Sequence, residues 1–212
     1  MVAEPDVTYT DFILAAESFL FTWLLVREQA SNQSLRAWFA IFFAALGVAA
    51  LAGGTVHGFL TDPASWSHKI VWRLTMLAIG AATLAAWRIG ADLLAVPAVA
   101  RWITVLAAVQ FAAYAAIVVL ITDDFKVAVF NYLPSAVFLL IVLLIVLARA
   151  ETGALWLALA GLLLTFAAAA VQRLEFGAMG MTYNALYHLV QGAGLLLLFL
   201  GAAGILKSQA VN

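Results

Sequence analysis

The 212-residue sequence has no cysteine, only 10% charged residues and a formal net charge of -1 at pH 7. Without cysteine there is no disulfide framework, thiolate metal site or cysteine nucleophile, so any metal must be held by His, carboxylate or amide ligands. The scarcity of charge excludes a nucleic-acid-binding surface, an acidic tail and an extended disordered segment. Apolar residues are abundant instead, at 67% of the chain, and the mean hydropathy is +1.09. A soluble core of this size cannot enclose so much apolar surface, so the chain belongs in a bilayer.

Crossing about 30 Å of hydrocarbon takes about 20 apolar residues. Dividing the chain at its charged and Pro/Gly interruptions gives seven such runs, 11–28, 36–60, 68–89, 99–121, 126–148, 152–173 and 180–206. The expected fold is therefore all-α, a polytopic bundle of seven transmembrane helices forming one domain over 1–212. The first run begins at Asp11 with no basic stretch before it, which argues against a cleaved signal peptide. Arg27, Arg36, Arg88, Arg101, Arg149 and Lys207 fall on one side of the bundle. Lys69, Arg73, Lys126, Arg173 and most of the acids fall on the other. By the positive-inside rule the amino terminus is expected outside a cell membrane and the carboxyl terminus in the cytoplasm.

Polar side chains inside a span are costly and tend to face the bundle interior. With the first helix starting at Asp11, Glu17 lies about 9 Å below the outer boundary at about 1.5 Å per residue, and His188 of the last helix about 12 Å. His57 of helix two is about as deep. Arg73, Asn131, Gln172 and Asn184 share this outer third, whereas Gln110 stands alone in the middle of helix four. Asn184, His188 and Gln191 stack on one face of helix seven, flanked by Tyr187. Gly53, Gly54 and Gly58 around His57 let another backbone come close. Taken singly, each imidazole reads as a packing residue bonded across a helix interface. Together with Glu17 on a third helix they predict a shared polar pocket open to the outer side. The Trp residues at 23, 38, 66, 87 and 102 read as an aromatic belt, and His68 as a cap on helix three.

Two imidazoles and a carboxylate meet the minimum for a zinc site with water in the open position. No H-E-x-x-H, G-x-S-x-G or phosphate-cradling glycine loop is present. Helix seven has no lysine before Lys207, which excludes a retinal Schiff base. A bis-His haem on His57 and His188 remains open, though it leaves Glu17 unexplained.

Four segments in order resemble the alkaline ceramidases and their relatives in the CREST superfamily, which includes the progestin and adipoQ receptors. Asn184-Ala185-Leu186-Tyr187-His188 is similar to their last-helix H-x-x-W-H, and Gly53-Gly54-Thr55-Val56-His57-Gly58 to their second-helix G-S-x-x-F-H. Ala16-Glu17-Ser18-Phe19 resembles their A-E-F, and Trp72-Arg73-Leu74-Thr75-Met76 stands where they have D-E-L-P-M. The resemblance implies a seven-helix bundle with zinc near one membrane face and a lipid amide as substrate. His57 and His188 match zinc ligands and Glu17 the helix-one acid. Asn184, Gly53 and Trp72 depart from the pattern at the first last-helix His, the second-helix Ser and the helix-three Asp. Glu4–Thr10 lacks the clustered acids and the Trp of the ceramidase calcium site.

Two functional expectations follow. In the first, the protein is a divergent metal-dependent hydrolase of a lipid amide or ester, with zinc on His57 and His188, Glu17 as ligand or general base, and Asn184 as ligand or oxyanion donor. In the second, the same pocket holds a lipid or lipid-like small molecule without turnover. Both place Thr55, Trp72, Arg73, Asn131, Gln172, Tyr187 and Gln191 around the pocket, with membrane lipids as partners and no nucleic acid.

Overall fold

The computed structural model describes residues 2–28, 30–178 and 180–210. Seven helices follow one another: α1 (Pro5–Arg27), α2 (Gln33–Phe59), α3 (Trp66–Leu94), α4 (Pro97–Leu120), α5 (Phe125–Arg149), α6 (Gly153–Arg173) and α7 (Tyr183–Ala210). All seven are long and apolar enough to cross a membrane. Among the described residues the one extended pairing is an isolated bridge between Ala178 and Met181. The protein is an all-α seven-helix bundle.

Helix starts follow local capping chemistry. The side chains of Asn32, Ser65, Asp124 and Thr152 each accept a hydrogen bond from a backbone N–H of the first turn that follows, replacing intrahelical partners that the first turn lacks. His68 does not cap α3. Ser65 takes that role, and the His68 ring bonds the Leu60 carbonyl.

The boundaries depart from the sequence expectation in three places. Proline at the first helical position starts α1 at Pro5, six residues before Asp11. α3 runs past Ile89 because Arg88 and Asp92 pair one turn apart at 3.2 Å, neutralising the charges that seemed to end it. It stops at Ala95, which adopts a left-handed conformation with φ 54°. Gly180 at φ 75° and the Ala178 bridge hold the chain in a turn, so α7 begins at Tyr183.

α1 presents a stripe of buried residues, Val7, Asp11, Leu14, Ser18, Phe21 and Leu25, at alternating spacings of four and three. That is the pattern of a helix seated along a seam. In its lower half Phe21 stacks on Phe199 of α7 with centroids 4.4 Å apart and meets Phe43 of α2 edge-on at 5.4 Å. In its upper half, glycines of α2 receive it. A Cβ on Gly54 would stand 2.9 Å from the Asp11 Cβ, and one on Gly58 2.8 Å from the Thr8 Cγ2. The backbone expected to approach the glycines beside His57 is thus α1.

α6 and α7 meet backbone to backbone. A Cβ on Gly161 would fall 2.5 Å from the Leu198 nitrogen and 2.6 Å from the Gly194 oxygen, and one on Gly201 2.5 Å from the Ala158 nitrogen. Small residues permit this approach, and dispersion across it replaces the hydrophobic drive that lipid does not supply.

The end of the bundle where α1 finishes and α2 begins is also tied by polar groups. Ser34 donates to Asp92 at 2.7 Å, Arg88 donates to the Thr104 hydroxyl, and the Arg88 guanidinium lies 5.4 Å over the Trp38 ring. Trp38 and Trp87 are therefore interior contacts, while Trp23, Trp66 and Trp102 are more than half exposed, as an interfacial belt requires.

Replacing Gly161 with valine is expected to force α6 from α7 and destabilise the protein by about 1–3 kcal/mol. A lowered midpoint of thermal unfolding in neutral detergent, with no such loss for valine at the open Gly153, checks this.

Candidate functional site

Near the amino-terminal end of α1 the bundle encloses a cavity of about 250 Å³. It is lined by side chains from α1, α2, α3, α5, α6 and α7, including Asp11, His57, Trp72, Asn184 and His188. A second cavity of about 130 Å³ adjoins it between α3, α5, α6 and α7. The two share Leu46, Ile79, Phe125, Gln172, Tyr187 and Gln191. The second is mainly apolar, with Thr165, Gln172, Gln191 and two tyrosines as its polar groups, and its wall includes Val129 and Leu133, 47% and 46% exposed on the lipid-facing side of α5.

His188 is held from α1 on both ring nitrogens. Nε2 lies 3.2 Å from the Asp11 Oδ1, and Nδ1 lies 3.1 Å from the Thr10 hydroxyl. The Thr10 proton has nearer acceptors in the Asp6 carbonyl at 2.8 Å and the Val7 carbonyl at 3.0 Å. The hydroxyl therefore donates into its own helix and accepts from Nδ1–H, leaving Nε2 to share a proton with Asp11. Asp11 is only 4% exposed, and a carboxyl group so placed requires such a partner. A second acid–imidazole pair stands nearby, with His57 Nδ1 3.1 Å from the Glu4 Oε2. The segment carrying Glu4 is fixed by Ala3 N–H donating to the Gly58 carbonyl at 3.2 Å and Thr182 N–H to Asp6 at 2.9 Å.

Five other polar groups converge where the cavities meet. Gln172 Nε2 donates to the Asn184 Oδ1 at 3.2 Å, which leaves the Asn184 Nδ2 for the cavity. Gln191 is 8% exposed and lines both cavities, yet its carboxamide makes no hydrogen bond to a described residue. The Trp72 indole donates to the Asp123 carbonyl at 2.8 Å, presenting its ring toward Phe125 at a centroid distance of 6.0 Å. Tyr187 completes the junction.

Of the residues expected in the pocket, His57, His188, Asn184, Trp72, Gln172, Tyr187 and Gln191 line it. Four do not. Glu17 lies two turns further along α1, where its Oε2 is 2.9 Å from the place of a Cβ on Gly192. Because α1 starts at Pro5, Glu17 is about 18 Å along the helix and well below the imidazoles. Thr55 points its hydroxyl back to the Leu51 carbonyl at 2.7 Å. Arg73 lies 3.6 Å from Asp123 at the α4–α5 connection. Asn131 belongs to a separate network, accepting from Gln110 at 2.9 Å and donating to Thr83 at 3.2 Å, while Trp87 donates to Gln110 at 3.0 Å. Gln110 is therefore not isolated but clamps α4 to α3 and α5. The acid that sequence reasoning missed is Asp11, whose place in the buried stripe of α1 is readable once the helix is begun at Pro5.

The expected zinc donors do not assemble. Glu17 is outside the cavity and both nitrogens of His188 are engaged by α1. Among the described residues no group of three or more His, Cys, Asp or Glu is spaced to hold an ion. A haem between His57 and His188 meets the same obstacle at His188.

No curated protein and no solved structure matches the chain. A family model described as a family of unknown function (DUF6962) matches residues 7–207, nearly the whole bundle, and the chain belongs to that family.

Proposed function

We propose that the protein binds one membrane amphiphile, with its headgroup in the polar cavity beside Asp11, His57 and His188 and its alkyl chain in the apolar cavity between α5 and α6. The observation that carries this reading is Gln191. Its carboxamide is bonded to no described residue and faces both cavities, so its donor and its acceptor are both available to a polar group placed there. It stands where the lining changes from polar to apolar, which is where an amphiphile carries its linkage. The half-exposed Val129 and Leu133 provide an entrance from the acyl-chain region of the bilayer, so the ligand need not pass through water.

A hydrolytic reading is favoured by the pairing of Asp11 with His188 beside Asn184. Once the shared proton has left the pair, Asp11 takes a proton from water as its oxygen adds to the carbonyl carbon, the Asn184 Nδ2 donates to the oxyanion, and as the C–N or C–O bond breaks Asp11 returns the proton to the departing nitrogen or oxygen. Purified protein that leaves amide- and ester-linked amphiphiles intact removes this reading and leaves binding untouched.

We infer further that the cavity opens on the outer face of a cell membrane. Arg27, Arg36, Arg101, Arg149 and Lys207 lie at or just beyond the helix ends opposite the cavity, the excess expected on the cytoplasmic side.

Two outcomes are expected. A diazirine-bearing alkyl amphiphile should cross-link to peptides of α5 and α6, and Leu133→Trp, which fills the groove, should weaken its binding about tenfold. Labelling confined to α4, or unchanged in the variant, counts against the reading. Because the chain has no native cysteine, single cysteines report topology cleanly. A membrane-impermeant maleimide should label Ala64→Cys in intact cells and Glu151→Cys only after permeabilisation; the reverse pattern turns the cavity to the cytoplasm.

A further inference from the structure

Amphiphiles differ most in the charge of their headgroups, and the lining of the polar cavity bears on that sign. We infer that the headgroup is an organic cation, an amine or a quaternary ammonium, held between the Asp11 carboxylate and the rings of Trp72, Phe125 and Tyr187. This rests on the amphiphile-binding reading and narrows it.

Three observations support it. First, among the described residues neither cavity is lined by Lys or Arg, and the nearby Arg73 is directed to Asp123. A phosphate or carboxylate headgroup would be buried without a counter-charge, the most expensive state for an ion away from water. Second, two carboxyl groups face two imidazoles, Asp11 with His188 and Glu4 with His57. The Asp11–His188 pair shares one proton and is neutral in sum; an ammonium group beside it favours loss of that proton, which leaves the pair negative. Asp11 and Gly53 both line the cavity, and the Oδ2 lies against Gly53, 3.4 Å from where a Cβ would stand. Third, the remaining wall is aromatic. The Trp72 and Phe125 rings are 6.0 Å apart and tilted by 40°, and Tyr187 sits 5.1 Å from the His188 ring. Ring faces carry negative quadrupole density and attract ammonium groups, more strongly when water is excluded. A neutral headgroup would satisfy Gln191 but gain less from Asp11 and the rings, lacking the charge that both attract. A cation with an adjacent hydroxyl, amide or ester uses both.

The test is a chain-matched series, octyltrimethylammonium, octylamine, octanol and octyl phosphate, titrated against the full-length protein in neutral maltoside micelles. Binding is followed as the saturable rise in unfolding temperature. Both cations should bind at least about tenfold more tightly than octanol or octyl phosphate. Asp11→Asn should bring cations and octanol to within about twofold of each other, and Trp72→Leu should weaken the trimethylammonium more than the alcohol. The series on the unaltered protein decides the matter even if Asp11→Asn fails to fold. Octyl phosphate or octanol binding as tightly as the cations overturns the charge inference while leaving amphiphile binding standing. If no member of the series gives a saturable shift, the amphiphile reading falls as well.

Discussion

The half of this bundle that holds the cavity depends on one requirement, that a carboxyl group within a membrane span must have a partner. Asp11 meets it through His188, and everything around the pair serves to bring them within 3.2 Å. Gly54 and Gly58 let α1 settle against α2, Thr10 turns the imidazole by holding its other nitrogen, and Gly53 lies against the second carboxyl oxygen. Asp11→Ala would leave the imidazole half-paired. A bulky residue at Gly54 would move α1 outward and lengthen the contact. The pocket is thus a property of helix seating as much as of the residues that line it.

Seven spans were legible because hydropathy over about 20 residues is a strong signal that neighbouring helices do not alter. Most of the pocket was legible for a related reason. Polar residues in apolar segments are rare, and those at the outer ends of α2, α6 and α7 do converge. The error at Glu17 came from a boundary. Starting the first helix at Asp11 moved every depth in it by six residues, about 9 Å, enough to align Glu17 with the imidazoles and to place Asp11 in the solvent. Asn131 failed differently, since depth and polarity cannot say which neighbour a side chain faces, and Gln110 and Thr83 were nearer. His57 and His188 share a cavity, and so does Asn184, which stands at the third donor position the ceramidase resemblance implies; the helix-one acid Glu17 does not.

The two polar layers do different work. In the Trp87–Gln110–Asn131–Thr83 network each group bonds to another, a satisfied set that fixes α4 to its neighbours. At the cavity, by contrast, Gln191 and the Asn184 amide nitrogen are left with capacity to bond. Satisfaction marks the structural layer, and unspent hydrogen-bonding capacity marks the one available to a ligand.

The glycine contact between α6 and α7 has a mechanical consequence. Where two backbones touch without side chains between them there is nothing to compress or rotate, so the pair transmits displacement as a rod does. Any displacement of α6 from α5 would therefore be shared by α7, which bears His188, and would register in the distance between that imidazole and Asp11.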